Sequence, residues 1–266
     1  MSGGRSKAIV LGGIVLFNIV CLALPTIIVL VTSFTAGNII RFPPEGLSLR
    51  WYQTLLEKTA YQEAFLRTLY VALICTAVSI PAGTLAAIAM ARYRLRFLGG
   101  LQVYFLLPFT IPLIVAGLGM MEMLISIRMF GQLWPVGIAA CIINLPFMIW
   151  AVAASVNGLD PDLENAAANL GAPPLQTFLT VTLPAVMPGV ITGALLMFVL
   201  AFNEFIVSLL LTNARIVTLP VLIYNSIRSV ITPDLAAVSV VYILVAAVAI
   251  WLLDKLVGLD IFLRSK

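Results

Sequence analysis

The chain has 266 residues, 62% of them hydrophobic and only 10% charged, with a mean hydropathy of +1.13. A soluble globular domain is about 45–50% apolar, so this chain belongs in a bilayer. Its net charge of +4 comes from bases that flank apolar runs, which points to membrane topology and not to nucleic-acid binding.

The apolar runs do not alternate as the strands of a membrane barrel would. The expected fold is all-α, an integral membrane protein with about six transmembrane helices, each long enough to cross a hydrocarbon core of about 30 Å. Arg5 and Lys7 precede an apolar run over 8–31. That run is too long for the core of a signal peptide and no A-x-A-like site follows it, so it reads as an uncleaved first helix with its amino end in the cytoplasm. Further spans are expected over 65–91, 99–124, 133–156, 184–211 and 236–256. Arg92, Arg94 and Arg96 after the second span, and Lys255, Arg264 and Lys266 after the sixth, then fall inside, as the positive-inside rule favours. Both termini are therefore expected in the cytoplasm. The outer side also carries bases, at Arg41, Arg50, Lys58, Arg67, Arg128, Arg215 and Arg228, the first group accompanied by Glu45, Glu57 and Glu63. Cys21, Cys75 and Cys141 sit inside apolar runs and read as small buried hydrophobes. Asn144 with Pro146, and Pro108 with Pro112, read as helix interruptions.

One polar, turn-rich island interrupts this pattern between the fourth and fifth spans, over 157–182. Asp160 can cap a helix, Pro161 suits its first turn, and Asp162 and Glu164 complement the positive end of its dipole. The helix should stop near Leu170, because Gly171 can adopt a left-handed conformation and Pro173 and Pro174 forbid continuation. Residues 175–182 read as a second short helix, broken from the fifth span at Leu183 and Pro184. A helix–helix connection usually needs about two to eight residues. This longer knuckle reads as a docking element, with an ordinary connector as the alternative.

The knuckle carries "LENAAANLGAPPLQTFLTVTLPAVMPG" from Leu163 to Gly189. Its spacing resembles the cytoplasmic signature of permease subunits of bacterial ABC importers: E-A-A, three residues, glycine, nine residues, an aliphatic, one residue, then L-P. Ala166, Ala167, Gly171, Val181, Leu183 and Pro184 fall in register, while Asn165 replaces the acid and Glu164 lies one place earlier, about 100° around the helix. The stretches "LAFNEFIVSLLL" and "TLPVLIYNSIRSVITPDLAAVS" are similar to the second permease subunit of the spermidine/putrescine branch, which also includes carriers of opines and other small organic solutes. The resemblance covers nearly the whole chain.

The resemblance implies a type I importer permease fold over 1–266 as a single transmembrane domain, in the cytoplasmic (inner) membrane of a bacterium. It also implies a non-catalytic subunit forming half of a translocation pathway for a polyamine, an opine or a related amine. Its partners would be a second homologous permease subunit, two ATPase subunits holding ATP and Mg, a periplasmic solute-binding protein and membrane lipid, with no nucleic acid. Glu164, Asn165, Ala166, Ala167, Gly171, Val181, Leu183 and Pro184 would face the ATPase. The residues agree in one respect: no G-x-x-x-x-G-K-[ST] phosphate loop occurs, so the chain must borrow its energy and needs no cofactor of its own.

An ionisable group at membrane depth costs about 2.5–3.5 kcal/mol on insertion scales, which singles out Glu204, with Phe202 and Asn203 beside it, as a candidate pathway residue. The other reading is a carboxylate paired with a polar group of this or the partner subunit, or lying near the outer interface. Tyr224, Asn225 and Arg228 look like part of a periplasmic element near the outer gate, or like a plain solvated face. The competing function is an ion-gradient-driven secondary transporter with Glu204 as coupling acid, although no internal repeat of the kind such folds carry is evident. A membrane enzyme lacks any convergent set of nucleophile, base or metal ligands, histidine being absent.

Overall fold

A computed structural model describes residues 2–92, 98–229 and 231–257, mostly as helix. Arg94, Arg96, Arg264 and Lys266 lie outside the described residues. The helices are α1 (Ser2–Ser33), α2 (Arg50–Glu57), α3 (Thr59–Arg92), α4 (Leu98–Thr110), α5 (Leu113–Ser126), α6 (Leu133–Asn157), α7 (Pro161–Asn169) and α8 (Pro174–Thr177). A π turn (Phe178–Thr182) follows, then α9 (Leu183–Phe202), α10 (Ile206–Leu211), α11 (Leu219–Ser229) and α12 (Pro233–Val257). Among the described residues four helices are long and apolar enough to cross a membrane: α1, α3, α6 and the run Pro174–Phe202. The pair α4 and α5 makes a fifth if counted together, and α12 contributes a shorter apolar stretch, Pro233–Val248.

Four expectations about continuity are corrected. The segment 99–124 is not one straight span: its two halves bend by 87° at Ile111–Pro112, where Pro112 caps α5 and can donate no hydrogen bond to α4. The segment 184–211 is broken at residues 203–205. Conversely, Leu183 and Pro184 break nothing. Leu183 N donates five residues back to the Phe178 carbonyl, so the turn is widened just where Pro184 follows. A wide π turn relieves the clash of a proline ring with the carbonyl four residues back, and helix continues from Pro174 to Phe202. α6 likewise runs through Pro146 without interruption, with Asn144 Nδ2 donating to the Ala140 carbonyl at 2.9 Å. Polar side chains within other apolar helices also bond to their own backbone: Thr76 to Ala72, Thr192 to Pro188 and Ser239 to Leu235, each at 2.8 Å. Such bonds satisfy hydroxyls and amides that lipid cannot.

The chain divides into two compact units. The larger covers 63–222 with 246–266, and α6 is its most buried helix. Val136, Ala139 and Ile143 of α6 join Val71, Leu124, Val207 and Leu211 in one buried cluster. α6 and α9 approach closely because α9 presents Gly189 and Gly193 four residues apart; a Cβ on Gly189 would lie 2.8 Å from the Ala151 carbonyl oxygen. Small residues of this spacing bring membrane helices into backbone contact. Buried Thr68 ties the return into α11 to α3, its hydroxyl donating to the Ala64 carbonyl and accepting from Leu219 N at 2.7 Å. Cys75 and Cys141 are buried as expected; Cys21 is exposed, as is most of the apolar length of α1.

The smaller unit covers 1–62 with 223–245. Its connection after α1 is held by Ser33 and Tyr52 hydroxyls at 2.7 Å and by Trp51 Nε1 donating to the Thr35 carbonyl at 2.9 Å. Its polar centre is Asp234, whose side chain is only 3% exposed. Lys58 Nζ donates to Oδ2 at 2.7 Å, Tyr61 donates to the same oxygen at 3.0 Å, and Thr232 donates to Oδ1. A buried carboxylate persists only when it is paired and hydrogen-bonded in this way.

Asp234→Ala leaves three donors without their shared acceptor. It should cost about 1–3 kcal/mol, seen as a lower midpoint of thermal unfolding in detergent. An unchanged midpoint would show that the cluster adds nothing to stability.

Candidate coupling site

The island between α6 and α9 folds as the local residues dictate. Asp160 takes an extended conformation and its Oδ1 accepts from Asp162 N at 3.0 Å, while Pro161 occupies the first helical position, where no N–H is needed. At the other end Gly171 has φ +83°. Gly171 N donates to the Ala168 carbonyl at 2.9 Å and Ala172 N to the Ala167 carbonyl at 3.1 Å. That pair of bonds is a Schellman termination, which needs a left-handed residue at this place. Pro173, extended, and Pro174, at the start of α8, then turn the chain back toward α9.

The termination sets Leu170 at the tip, where it is 90% exposed, and Leu175 at 70%; Leu163 and Leu179 are exposed nearby. Asn165, Ala166 and Ala168 are exposed and Ala167 half-buried. Asn165 Nδ2 donates to Asp162 Oδ1 at 3.3 Å. The face is therefore apolar, with small side chains, and bordered by the exposed carboxylates of Asp160 and Asp162; the segment 157–182 contains no lysine or arginine.

Glu164 points the other way. Its Oε1 accepts from the Thr182 hydroxyl at 2.7 Å and lies 3.3 Å from Nη2 of Arg92 at the end of α3. Val181 and Leu183, which flank Thr182 in the sequence, are half-buried and Pro184 is exposed. Asn165, Ala166, Gly171 and the four leucines are thus all exposed. Glu164 is turned toward the apolar helices. Sequence reasoning missed the leucines, although four of them in a polar island were a signal. It counted Arg92 only as a topological charge, and nothing local links it to Glu164.

The other candidates fall elsewhere. Phe202 is buried, stacked on Phe198 (centroids 5.7 Å apart, planes at 17°) and edge-on to Phe65 (6.0 Å, 80°). Asn203 is exposed and donates to the Val199 carbonyl at 2.8 Å. Half-buried Glu204 lies in the gap between α9 and α10, where Oε1 accepts from Val207 N at 3.0 Å. Its carboxylate thus caps the helix that restarts there. Tyr224, Asn225 and Arg228 share α11, with the Arg228 guanidinium 5.7 Å from the Tyr224 ring centre. Among the described residues no group of three or more Cys, Asp or Glu side chains could hold a metal ion.

The model of the family of binding-protein-dependent transport system inner membrane components matches residues 79–259. Similar proteins include the putrescine transport system permease protein PotI of Escherichia coli (strain K12), 26% identical over 85% of this chain and 83% of that one. The spermidine/putrescine transport system permease protein PotC of Haemophilus influenzae is 25% identical over 89% of this chain and 91% of its own. The putative 2-aminoethylphosphonate transport system permease protein PhnV of Salmonella paratyphi A is 28% identical over 95% of each chain. Among solved structures, a chain of a bacterial ABC transporter that imports the acidic polysaccharide alginate matches with a TM-score of 0.75 at 16% identity, over 99% of both chains. The fold is that of the type I ABC importer permeases.

Nothing lies within 4 Å of a Cβ built on Gly171, so only its φ constrains the position within this chain. A left-handed conformation costs most residues about 1–2 kcal/mol, whereas asparagine tolerates it better. Gly171→Val should therefore open the segment 160–182 and speed its cleavage by limited proteolysis, with Gly171→Asn close to the unaltered chain. Equal cleavage of the two variants would show that φ is not the constraint.

Proposed function

This chain belongs to the family of binding-protein-dependent transport system inner membrane components and is a permease subunit of an ABC importer; from that premise we propose that its 157–182 segment is the contact through which separate ATPase subunits drive it. The observation that carries the proposal is the open leucine face. Leu163, Leu170, Leu175 and Leu179 are exposed on a turn-rich segment whose first helix, α7, is held by a cap at one end and a Schellman turn at the other. Exposed apolar groups clustered on a rigid element mark a protein contact. The carboxylates of Asp160 and Asp162 at its edge favour a partner groove with basic residues.

In this reading the chain is a multi-pass protein of a bacterial cytoplasmic membrane, with both termini and the docking face on the cytoplasmic side. It pairs with a second permease subunit, and a periplasmic binding protein delivers the solute. ATP and Mg bind in the ATPase subunits, so this chain carries no catalytic chemistry. When ATP draws those subunits together, the docked segments move with them and shift the helices from inward-open to outward-open. Family membership displaces the ion-gradient alternative.

The solute proposed is a small organic molecule with a protonated amine. Putrescine, spermidine and 2-aminoethylphosphonate, the compounds that appear in the relatives' names, share that group. Glu204 supplies a matching group: a carboxylate that accepts one backbone bond as a helix cap has acceptor capacity left for a second partner.

Two measurements test this reading. Leu170→Asp puts a charge in the docking face and should abolish co-purification of the ATPase subunits without reducing the amount of chain in the membrane; full co-purification would contradict the docking role. Glu204→Gln keeps an acceptor for Val207 N and loses the charge. It should slow uptake of a cationic amine while the assembled complex and its basal ATP hydrolysis persist. Unaltered uptake, or failure to assemble, would remove Glu204 from the pathway.

A further inference from the structure

Arg92, Glu164 and Thr182 form the one polar node among the described residues that joins the docking helix α7 to a spanning helix it does not adjoin in sequence. We infer that this node is a transmission strut, through which movement of α7 displaces the end of α3 together with the start of α9. The inference rests on the reading of 157–182 as the ATPase contact.

The chain itself links α7 only to α6, through 158–160, and to α8 and α9, through 170–173. Without a further contact, α3 would receive a push on α7 only by way of packing between apolar helices. Glu164 supplies the missing connection with one oxygen: Oε1 takes the Thr182 hydroxyl at 2.7 Å and faces Arg92 Nη2 at 3.3 Å. Thr182 is buried and closes the π turn, a type of distortion common at functional positions. Both charged side chains are largely withdrawn from water, 22% exposed for Arg92 and 26% for Glu164, so their attraction is screened less than that of a surface pair. Glu164 lies in the first turn of α7, where the helix dipole favours a negative charge. The Nε and Nη2 atoms of Arg92 are buried with no hydrogen-bond partner among the described residues. That makes the Glu164 carboxylate the counter-charge on which the guanidinium depends there.

Asn165 and Ala166 of α7 are exposed, as is Leu170 at its C-cap, whereas Glu164 is largely withdrawn from water against Arg92 and Thr182. The knuckle therefore has an outer face for the partner and an inner residue, Glu164, for the membrane helices. The acid matters here as a positioning residue, not as a contact to the ATPase. This also accounts for tolerance of Asn165 where the family pattern has an acid.

The test uses the full complex reconstituted in proteoliposomes, with binding protein loaded with putrescine, the amine named in one relative, and reads putrescine transported per ATP hydrolysed. Arg92→Met keeps an apolar stem and removes the charge. It should leave ATPase co-purification intact and lower the transport ratio about fivefold or more, the lower end of ordinary coupling between sites. Thr182→Val, similar in shape, should lower it less. The reversed pair, Arg92→Glu with Glu164→Arg, should recover at least half of the loss, which a role in stability alone would not produce. A wild-type ratio in Arg92→Met, loss of ATPase association in that variant, or a reversed pair that assembles without recovery would each overturn the strut. Leu170→Asp in parallel separates the two ideas. If it retains the ATPase, the docking face is wrong; if it loses the ATPase while Arg92→Met transports normally, only the strut is wrong.

Discussion

A backbone amide in hydrocarbon has no water to turn to, so every N–H and C=O must find its partner inside the protein. The whole architecture follows from that. The apolar runs become helices because helices satisfy their own backbones, and the hydroxyls of Thr76, Thr192 and Ser239 bond back into the helices that carry them. Where a helix stops, something must replace the lost bonds. Between α9 and α10 that role falls to Glu204, whose carboxylate receives Val207 N. An acid that looks out of place in an apolar stretch is thereby also the group that makes a break tolerable.

The same constraint explains why turn-rich sequence is gathered in one place. Between α6 and α9 the chain spends Asp160, Gly171 and two prolines on a pair of precise helix ends. Both ends are satisfied by the segment itself, through the Asp160 cap and the Ala167 and Ala168 carbonyls. A segment that closes its own backbone bonds can stand clear of the rest of the chain and still be rigid. Rigidity is what a docking element requires, since a soft one would absorb the displacement it is meant to pass on. The π turn adds to it: α8 and α9 are one continuous helix, so displacement at Leu175 is delivered along the axis to Phe202 without a joint at Pro184.

Much of this was legible in the sequence because it is governed by neighbours. Asp160, Pro161 and Gly171 announce a short helix by chemistry acting over one or two turns, and the structure places its ends within a residue of expectation. The apolar runs announced spanning helices in the same way. Helix breaks were harder to read. Pro146 and Pro184 are absorbed by continuous helix, whereas residues 203–205 break one without any proline, because tertiary surroundings decide whether a lost bond can be replaced. The exposure of Cys21 follows from how little of α1 is covered, which hydropathy cannot report. The inward aim of Glu164 was beyond reach for a similar reason: its partner Arg92 lies in another helix, far away along the chain.

The central claim is that the face around Leu170 is covered by an ATPase subunit. A chain with Cys21, Cys75 and Cys141 replaced by serine and Leu170 by cysteine gives the most direct measurement, through labelling by a membrane-impermeant maleimide in inside-out vesicles. Vesicles stripped of ATPase should label fast, as expected of a side chain 90% exposed. Adding the ATPase back should protect the thiol. Equal labelling with and without the ATPase would contradict the account, because it would leave the most exposed apolar residue of the segment uncovered in the assembled importer.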